Sequence, residues 1–311
     1  MPAMRSAVDG LCSFAGRGAC TDAERRAAVW LHDELRSRGH EAFVETRWVR
    51  PQRALTLALG ALLAVAGSLL STASALPGLI VAGAGALVLA LHAAGWPLPV
   101  LPRRATQHVL TAAPDASLVI AAAYDAPRRG LVLNDRWRRH LRPRAAPAVC
   151  GVAVAAAAAA RLAEVDDAWL GAVQLVPTLV LLLVLAAAID VALSGWSPGA
   201  NDNASGVAVA LALYEQLKRG GREPTLLLVG AGHAVPRAIR HERLGGAVLE
   251  IGPCGAGRPV LAGNRIVCLD ERGLTPRAHQ ADDTTVDLAA MEAALALALG
   301  VVDGAQRVRT P

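Results

Sequence analysis

The residues best suited to chemistry lie at positions 197–217, which read SPGANDNASGVAVALALYEQL. The first part is rich in turn-forming residues, whose side chains bond to their own backbone and tolerate unusual φ angles. Ser205 and Gly206 then lead into an apolar run that is typical of a buried helix. We therefore expect Asp202 on a rigid turn beside a helix N-terminus, a position that suits a bridging metal ligand. An ordinary capped helix without a metal fits the same residues.

From Gly199 onward, the string GANDNASGVAVALALYEQL resembles the signature of the two-zinc aminopeptidases of the aminopeptidase Y type. In that family the aspartate of this turn bridges both metal ions. The resemblance implies a three-layer α/β sandwich with a mixed central sheet, and site residues that come from separate loops in a fixed order. Residues 10–45 resemble the opening helix of the family, with Thr21 or Asp22 as its cap, followed by a strand at 42–49.

Two further segments resemble the loops that bind the first zinc ion in this family. The segment SLVIAAAYDAP keeps the supporting acid as Asp125, but Ala123 stands where the family has a histidine ligand. A methyl group cannot bind a metal. The segment GGAVLEIGPCGAGRPVL resembles the strand that ends in an acidic ligand, and Glu250 fits that position.

Two other segments resemble the loops around the second zinc ion. After a strand at 224–229 the family has two glutamates, first a general base and then a ligand. This chain reads GAGHAV, so that Gly232 takes the position of the base and His233 that of the ligand. The closing segment AHQADDTTVDLAAMEAAL supplies His279 as the last ligand and Asp283 as its supporting acid.

The chemistry of these positions indicates one metal site at most. Asp202, His233 and His279 fit a three-ligand zinc site with an open position. Asp202 and Glu250 alone are too few to hold a second zinc ion. Glycine at position 232 removes the general base, which costs roughly 10²- to 10⁴-fold in rate.

These positions favour a pseudopeptidase that binds a peptide or another membrane protein and holds no more than one zinc ion. The alternative is a mononuclear zinc peptidase or amidohydrolase that acts on small peptides. His233 fits equally well as a histidine at a helix start or on the surface.

A third reading comes from the loop Gly230-Ala231-Gly232, which fits part of a dinucleotide fingerprint. This loop follows a strand, and Glu250 lies some twenty residues later, where a ribose-binding acid would sit. Val235 and Pro236 occupy the positions where the fingerprint needs a small residue and a helix. The pattern is therefore only partial.

Apolar residues make up 54% of the chain and aromatic residues only 3%. This apolar content is higher than that of an ordinary soluble domain. The excess lies in two blocks. We predict transmembrane helical hairpins at 54–97 and at 145–194. The first arm of the second hairpin, at 147–160, is mostly alanine and also fits a buried or interfacial helix. The rest of the chain, at 1–53, 98–144 and 195–311, is predicted to form one α/β domain.

Arginines flank the open ends of both hairpins, whereas the tips carry only Arg161, offset by Glu164, Asp166 and Asp167. The positive-inside rule places both termini and the α/β domain in the cytoplasm, with the hairpins in the cell membrane. The arginine-rich run at 128–144 is expected to contact anionic headgroups, and no nucleic-acid partner is expected. The flanking arginines are Arg47, Arg50, Arg53, Arg103, Arg104 and those at 128–144.

Overall fold

The computed structural model describes residues 2–111, 116–133, 145–164, 168–231, 235–242 and 244–307. The chain forms two compact units, described separately below. The α/β unit comprises Met1–Val49, Arg104–Arg129 and Gly195–Pro311, and the helical unit comprises Arg50–Arg103 and Gly130–Ser194.

The α/β unit is built on one mixed sheet of seven strands in the order β1-β2-β4-β3-β5-β7-β6. The four central strands β4, β3, β5 and β7 are parallel to one another. The pairs β1–β2, β2–β4 and β6–β7 are antiparallel. The strands are β1 (Ala42–Val49), β2 (Arg104–Thr111), β3 (Leu118–Ala123), β4 (Thr225–Val229), β5 (Ala247–Ile251), β6 (Arg258–Ala262) and β7 (Arg265–Leu269).

Helices cover both faces of this sheet, because the central strands are apolar on both sides. Ile120, Leu228 and Leu249 pack in a large core with α1, α2, α7 and α9. Val119 and Leu227 point to the opposite face and pack against α8. These helices are α1 (Pro2–Cys12), α2 (Asp22–Ser37), α7 (Ser205–Arg219), α8 (Val235–His241) and α9 (Leu288–Arg307).

The α/β class and the mixed central sheet agree with the sequence prediction. The strand expected at 42–49 is β1, and Thr21 is the N-cap of α2, with its side chain accepting the Glu24 N–H. Helix α1 was not predicted, although Met4, Ala7, Val8 and Leu11 bury one face of it. Its eleven residues are too few for a stable isolated helix, so its stability comes from this packing.

Four apolar helices are found among the described residues of the helical unit. Within the described part of the chain, three of them are long and apolar enough to cross a membrane, judged by length and composition. The remaining one is the alanine-rich helix of seventeen residues. They are α3 (Arg53–Ala73), α4 (Ala75–Ala93), α5 (Ala146–Leu162) and α6 (Ala168–Leu193).

Small residues let α3 and α4 approach to backbone contact. A Cβ atom on Gly67 would overlap the backbone of Ala82, and one on Gly78 would overlap the backbone of Ser71. Close packing through small residues is the usual means by which helices associate in lipid, where burial of apolar surface gives no driving force.

A polar cluster joins α3, α5 and α6 inside the helical unit. The Gln174 side-chain amide donates to Ser68 Oγ at 2.7 Å and to Ser71 Oγ at 3.2 Å. Thr178 Oγ1 lies 2.7 Å from Ser68 Oγ, and Arg161 donates to Gln174 Oε1. Such interhelical hydrogen bonds each contribute about 0.6–2 kcal/mol in a membrane.

Candidate functional site

Asp202 lies on a wide turn, Ala200–Ala204, that runs directly into helix α7. Gly199 precedes the turn with φ of 70°, a conformation that favours glycine. Asp202 is nearly buried, at 9% exposure. The turn therefore fixes the direction of this carboxylate.

Asp283 holds the turn through three hydrogen bonds. The Asn201 N–H donates to Asp283 Oδ1 at 2.8 Å and the Asp202 N–H to Oδ2 at 3.1 Å. The Ala200 N–H donates to the Asp283 carbonyl at 3.1 Å. The pKa of the Asp283 carboxyl is raised to about 6. Burial is the largest cause, the two N–H donors lower the pKa in part, and the charge of Asp202 raises it.

His279 lies beside Asp202. Its backbone N–H donates to Asp202 Oδ2 at 3.3 Å, and its φ of 67° is left-handed. Its Nδ1 lies 3.0 Å from the Arg128 carbonyl, which can only accept a hydrogen bond. When Nδ1 donates a hydrogen bond to this carbonyl, the lone pair of Nε2 is available to bind a metal ion. Metal-binding histidines are commonly held in this way.

Asp125 follows β3 and reaches the same turn through its backbone. The Asn203 side-chain amide donates to the Asp125 carbonyl. The structure thus brings Asp125, Asp202, His279 and Asp283 together by hydrogen bonds to one turn. Their roles as metal ligands or supporting acids stay predictions.

Glu250 occupies a different environment. Leu249 and Ile251 point into the core that contains α7, so Glu250 points to the opposite face of the sheet. Its Oε1 lies 3.1 Å from Arg265 Nε, across the β5–β7 pairing. The described contacts therefore place this carboxylate with Arg265 and not with Asp202.

Gly232 and His233 lie outside the described residues, so the three-ligand set with His233 stays a prediction. Gly230, just before them, is tightly enclosed. A Cβ atom there would overlap the Glu24 carboxylate and lie 2.6 Å from the Gln107 carbonyl.

Glu24 is a buried carboxylate that the sequence analysis missed. It accepts from the Cys20 N–H, from Thr106 Oγ1 and, at 3.3 Å, from Tyr124 Oη. Burial raises its pKa, and these hydrogen bonds lower it. A signal existed, because Thr21 and Glu24 have the spacing of a capping box, in which the acid reaches back to the helix start.

Arg17 was also missed. Its side chain is buried at 1% exposure, and it donates to the carbonyls of Tyr124 and Gly199. No local pattern marks it, because these carbonyls lie more than a hundred residues away in the sequence.

The residues that the structure describes do not fit a two-zinc centre. Strand β3 ends at Ala123, which offers a methyl group, and the Glu250 carboxylate is paired with Arg265. Among the described residues, no group of three or more His, Cys, Asp or Glu is arranged to hold a metal ion. Asp202 and His279 remain as two predicted ligands of a single ion.

Comparison with known proteins places this geometry in a wider context. Residues 181–230, which include the Asp202 turn, match the model of Peptidase family M28. No curated protein matches the chain.

Solved structures share the fold of the chain at low sequence identity. A Zn-dependent exopeptidase from Parabacteroides distasonis gives a TM-score of 0.53 at 10% identity, covering 97% of each chain. Tannerella forsythia glutaminyl cyclase gives 0.51 at 11% identity, over 96% of this chain and 97% of that one. A leucine aminopeptidase precursor from Bacteroides thetaiotaomicron gives 0.50 at 10% identity, over 94% and 93%. The family match is thus confined to residues 181–230, and the solved structures show that the fold is shared.

Proposed function

We propose that this chain is a membrane-anchored, peptidase-like protein that has lost two-metal catalysis and binds a peptide or another membrane protein. The observation that carries the proposal is the donor set around the Asp202 turn. Ala123, which cannot bind a metal, ends the strand next to this turn, and the Glu250 carboxylate is in an ion pair with Arg265. A two-metal hydrolase needs ligands for both ions and a carboxylate that moves the proton of the attacking water.

Membrane anchoring is supported by the three long apolar helices of the helical unit and by the arginines that flank them in the sequence. The positive-inside rule then gives a cytoplasmic α/β unit. The resemblance of the closing segment and of the Asp202 turn supports descent from the aminopeptidase Y type.

A mononuclear zinc hydrolase is the second candidate, and one observation favours it. The contact between His279 Nδ1 and the Arg128 carbonyl leaves the ring Nε2 available as an electron-pair donor for a metal ion. If His233 completed the set, one zinc ion would have three ligands and an open position.

Metal analysis of the detergent-purified full chain tests these proposals. We expect at most one zinc ion per chain and no appreciable turnover of amino-acid anilides. Any bound zinc should be lost in His279→Ala, since two ligands hold zinc poorly, and retained in His32→Ala, which alters a histidine next to the exposed Asp33.

Two zinc ions per chain, or anilide hydrolysis that Asp202→Ala abolishes, would overturn the proposal. One zinc ion together with hydrolysis that depends on His279 would favour the second candidate.

A further inference from the structure

Arg17 is a fully buried cation that donates three hydrogen bonds to main-chain carbonyls. Its Nε donates to the Tyr124 carbonyl at 2.6 Å, Nη1 to the Leu11 carbonyl at 2.5 Å and Nη2 to the Gly199 carbonyl at 3.4 Å. Carbonyls satisfy its donors but do not balance its charge. An unbalanced buried charge is costly, so a balancing charge is expected nearby.

Two of the three carbonyls, those of Tyr124 and Gly199, belong to the segments that form the candidate site. Leu11 lies in α1, Tyr124 directly precedes Asp125, and Gly199 lies three residues before Asp202. A Cβ atom on Gly199 would lie 3.2 Å from Arg17 Nη2, so the guanidinium fits closely under the turn.

Three carboxylates of the same site are buried: Asp125, Asp202 and Asp283 are exposed by 8%, 9% and 0%. Burial lowers the pKa of the Arg17 guanidinium, while its interactions with Cys12, Asp125 and Asp283 raise it. Buried carboxylates that lie close together repel one another unless a cation is near. In a metal site, the ion itself is the largest local charge.

We propose that Arg17 supplies, from within the chain, the positive charge that balances Asp125, Asp202 and Asp283, so that the Asp202 turn is held without a bound metal ion. Arg17 is a positioning residue, because it acts through Tyr124 and Gly199 on the neighbouring acids. The inference rests on the proposed loss of the two-metal centre.

The first experiment uses tryptophan fluorescence to measure the thermal unfolding midpoint of the detergent-purified full chain and its variants. Each protein is measured in the presence of EDTA and in the presence of added zinc. We expect EDTA to leave the wild-type midpoint unchanged. Arg17→Met should lower the midpoint by about 10 °C. Added zinc should restore part of this loss, because a divalent cation can replace the missing charge.

Two variants serve as controls for this experiment. Arg17→Lys keeps the charge and should lose less stability than Arg17→Met. Arg25→Met removes an exposed arginine paired with Asp22 at 2.7 Å, and its midpoint should be nearly unchanged, with no response to zinc.

The second experiment is a double-mutant cycle with Asp125→Asn. In the wild type this change removes a balancing charge and should lower the midpoint. In the Arg17→Met background it removes an uncompensated charge and should raise the midpoint. If Arg17→Met alone does not fold, recovery of folded protein in the double variant gives the same answer.

Three results would overturn the inference. They are a fall of the wild-type midpoint in EDTA, an Arg17→Met variant that zinc does not restore, and an Asp125→Asn change that lowers stability or folded yield equally in both backgrounds. Two zinc ions per chain would instead refute the proposed function, so the two failures can be told apart.

Discussion

At the scale of residues, β3 ends in the methyl group of Ala123, and the Glu250 carboxylate is paired with Arg265. The turn that carries Asp202 is nevertheless held firmly, since both oxygens of Asp283 accept its N–H groups. The geometry around this predicted ligand is thus well defined, whereas its role in binding a metal stays a prediction.

The sequence alone located those site residues that stand in short, recognisable segments. Asp202, His279 and Asp283 could be located because each stands in a recognisable segment, and the structure places all three at one turn. Arg17 and Glu24 could not be assigned a role, because their partners come from distant segments. Only folding reveals which carbonyls and hydroxyls surround them.

Gly230 should tolerate no side chain. In Gly230→Ala the new methyl group would overlap the Glu24 carboxylate, which is fixed by Thr106 and Cys20. We expect a loss of about 2–4 kcal/mol in the free energy of unfolding, measured by denaturant titration in detergent. Gly245→Ala is the matched control, because a Cβ atom there meets nothing within 4 Å. Equal stability of the two variants would contradict this account.

Glu24 should make stability depend on pH. Burial raises its pKa above the ordinary value of 4.5, so the folded state keeps the proton where the unfolded chain releases it. Its contribution is complete below pH 4.5 and is lost as the pH rises through the folded pKa. Relative to Glu24→Gln, the wild type should therefore lose stability as the pH rises above 4.5.

Urea unfolding across a pH series measures this difference, and the exposed Glu41, changed to glutamine, is the control. Parallel stability profiles for the wild type and Glu24→Gln would show that Glu24 does not titrate in this way.

At the scale of elements, the α3–α4 hairpin depends on contacts between backbones. Its packing could not be read from mean hydropathy, which does not say on which face of a helix a glycine lies. Hydropathy gave the helices, whereas the close approach at Gly67 and Gly78 follows from the face on which the glycines lie.

Gly67→Ala should weaken this hairpin, because the added methyl group would overlap the backbone of Ala82. We expect a loss of about 1–3 kcal/mol, seen as a lower temperature of aggregation in detergent. Gly83→Ala in the same hairpin should have little effect, since a Cβ atom there meets nothing within 4 Å. A stable Gly67→Ala variant would show that the two helices pack less closely.

At the scale of the whole molecule, the predicted α/β class with a mixed sheet agrees with the structure, because apolar strands alternate with helical segments along the sequence. The order of the strands could not be predicted. Strand β3 lies between β4 and β5, far from its neighbours in the sequence, and no local pattern specifies such pairing.

Membrane topology is testable with cysteine labels on intact cells. We expect cysteines at Ser74 and Glu164 to react with an impermeant reagent, and a cysteine at the exposed Glu271 to react only after lysis. The native Cys12, Cys20 and Cys150 should be replaced by serine in the parent protein, because they are only partly buried. Labelling at Glu271 in intact cells would reverse the proposed orientation.

The position of β3 in the sheet also has a consequence for synthesis on the ribosome. Both partners of β3 begin at Thr225 or later, so this strand leaves the ribosome with two open edges. Roughly 100 further residues must be made before β4 is complete, which takes about 5–20 s at ordinary elongation rates. Its apolar residues must be shielded for that time, so the nascent chain is expected to need a chaperone that releases it only after β4 and β5 have been made.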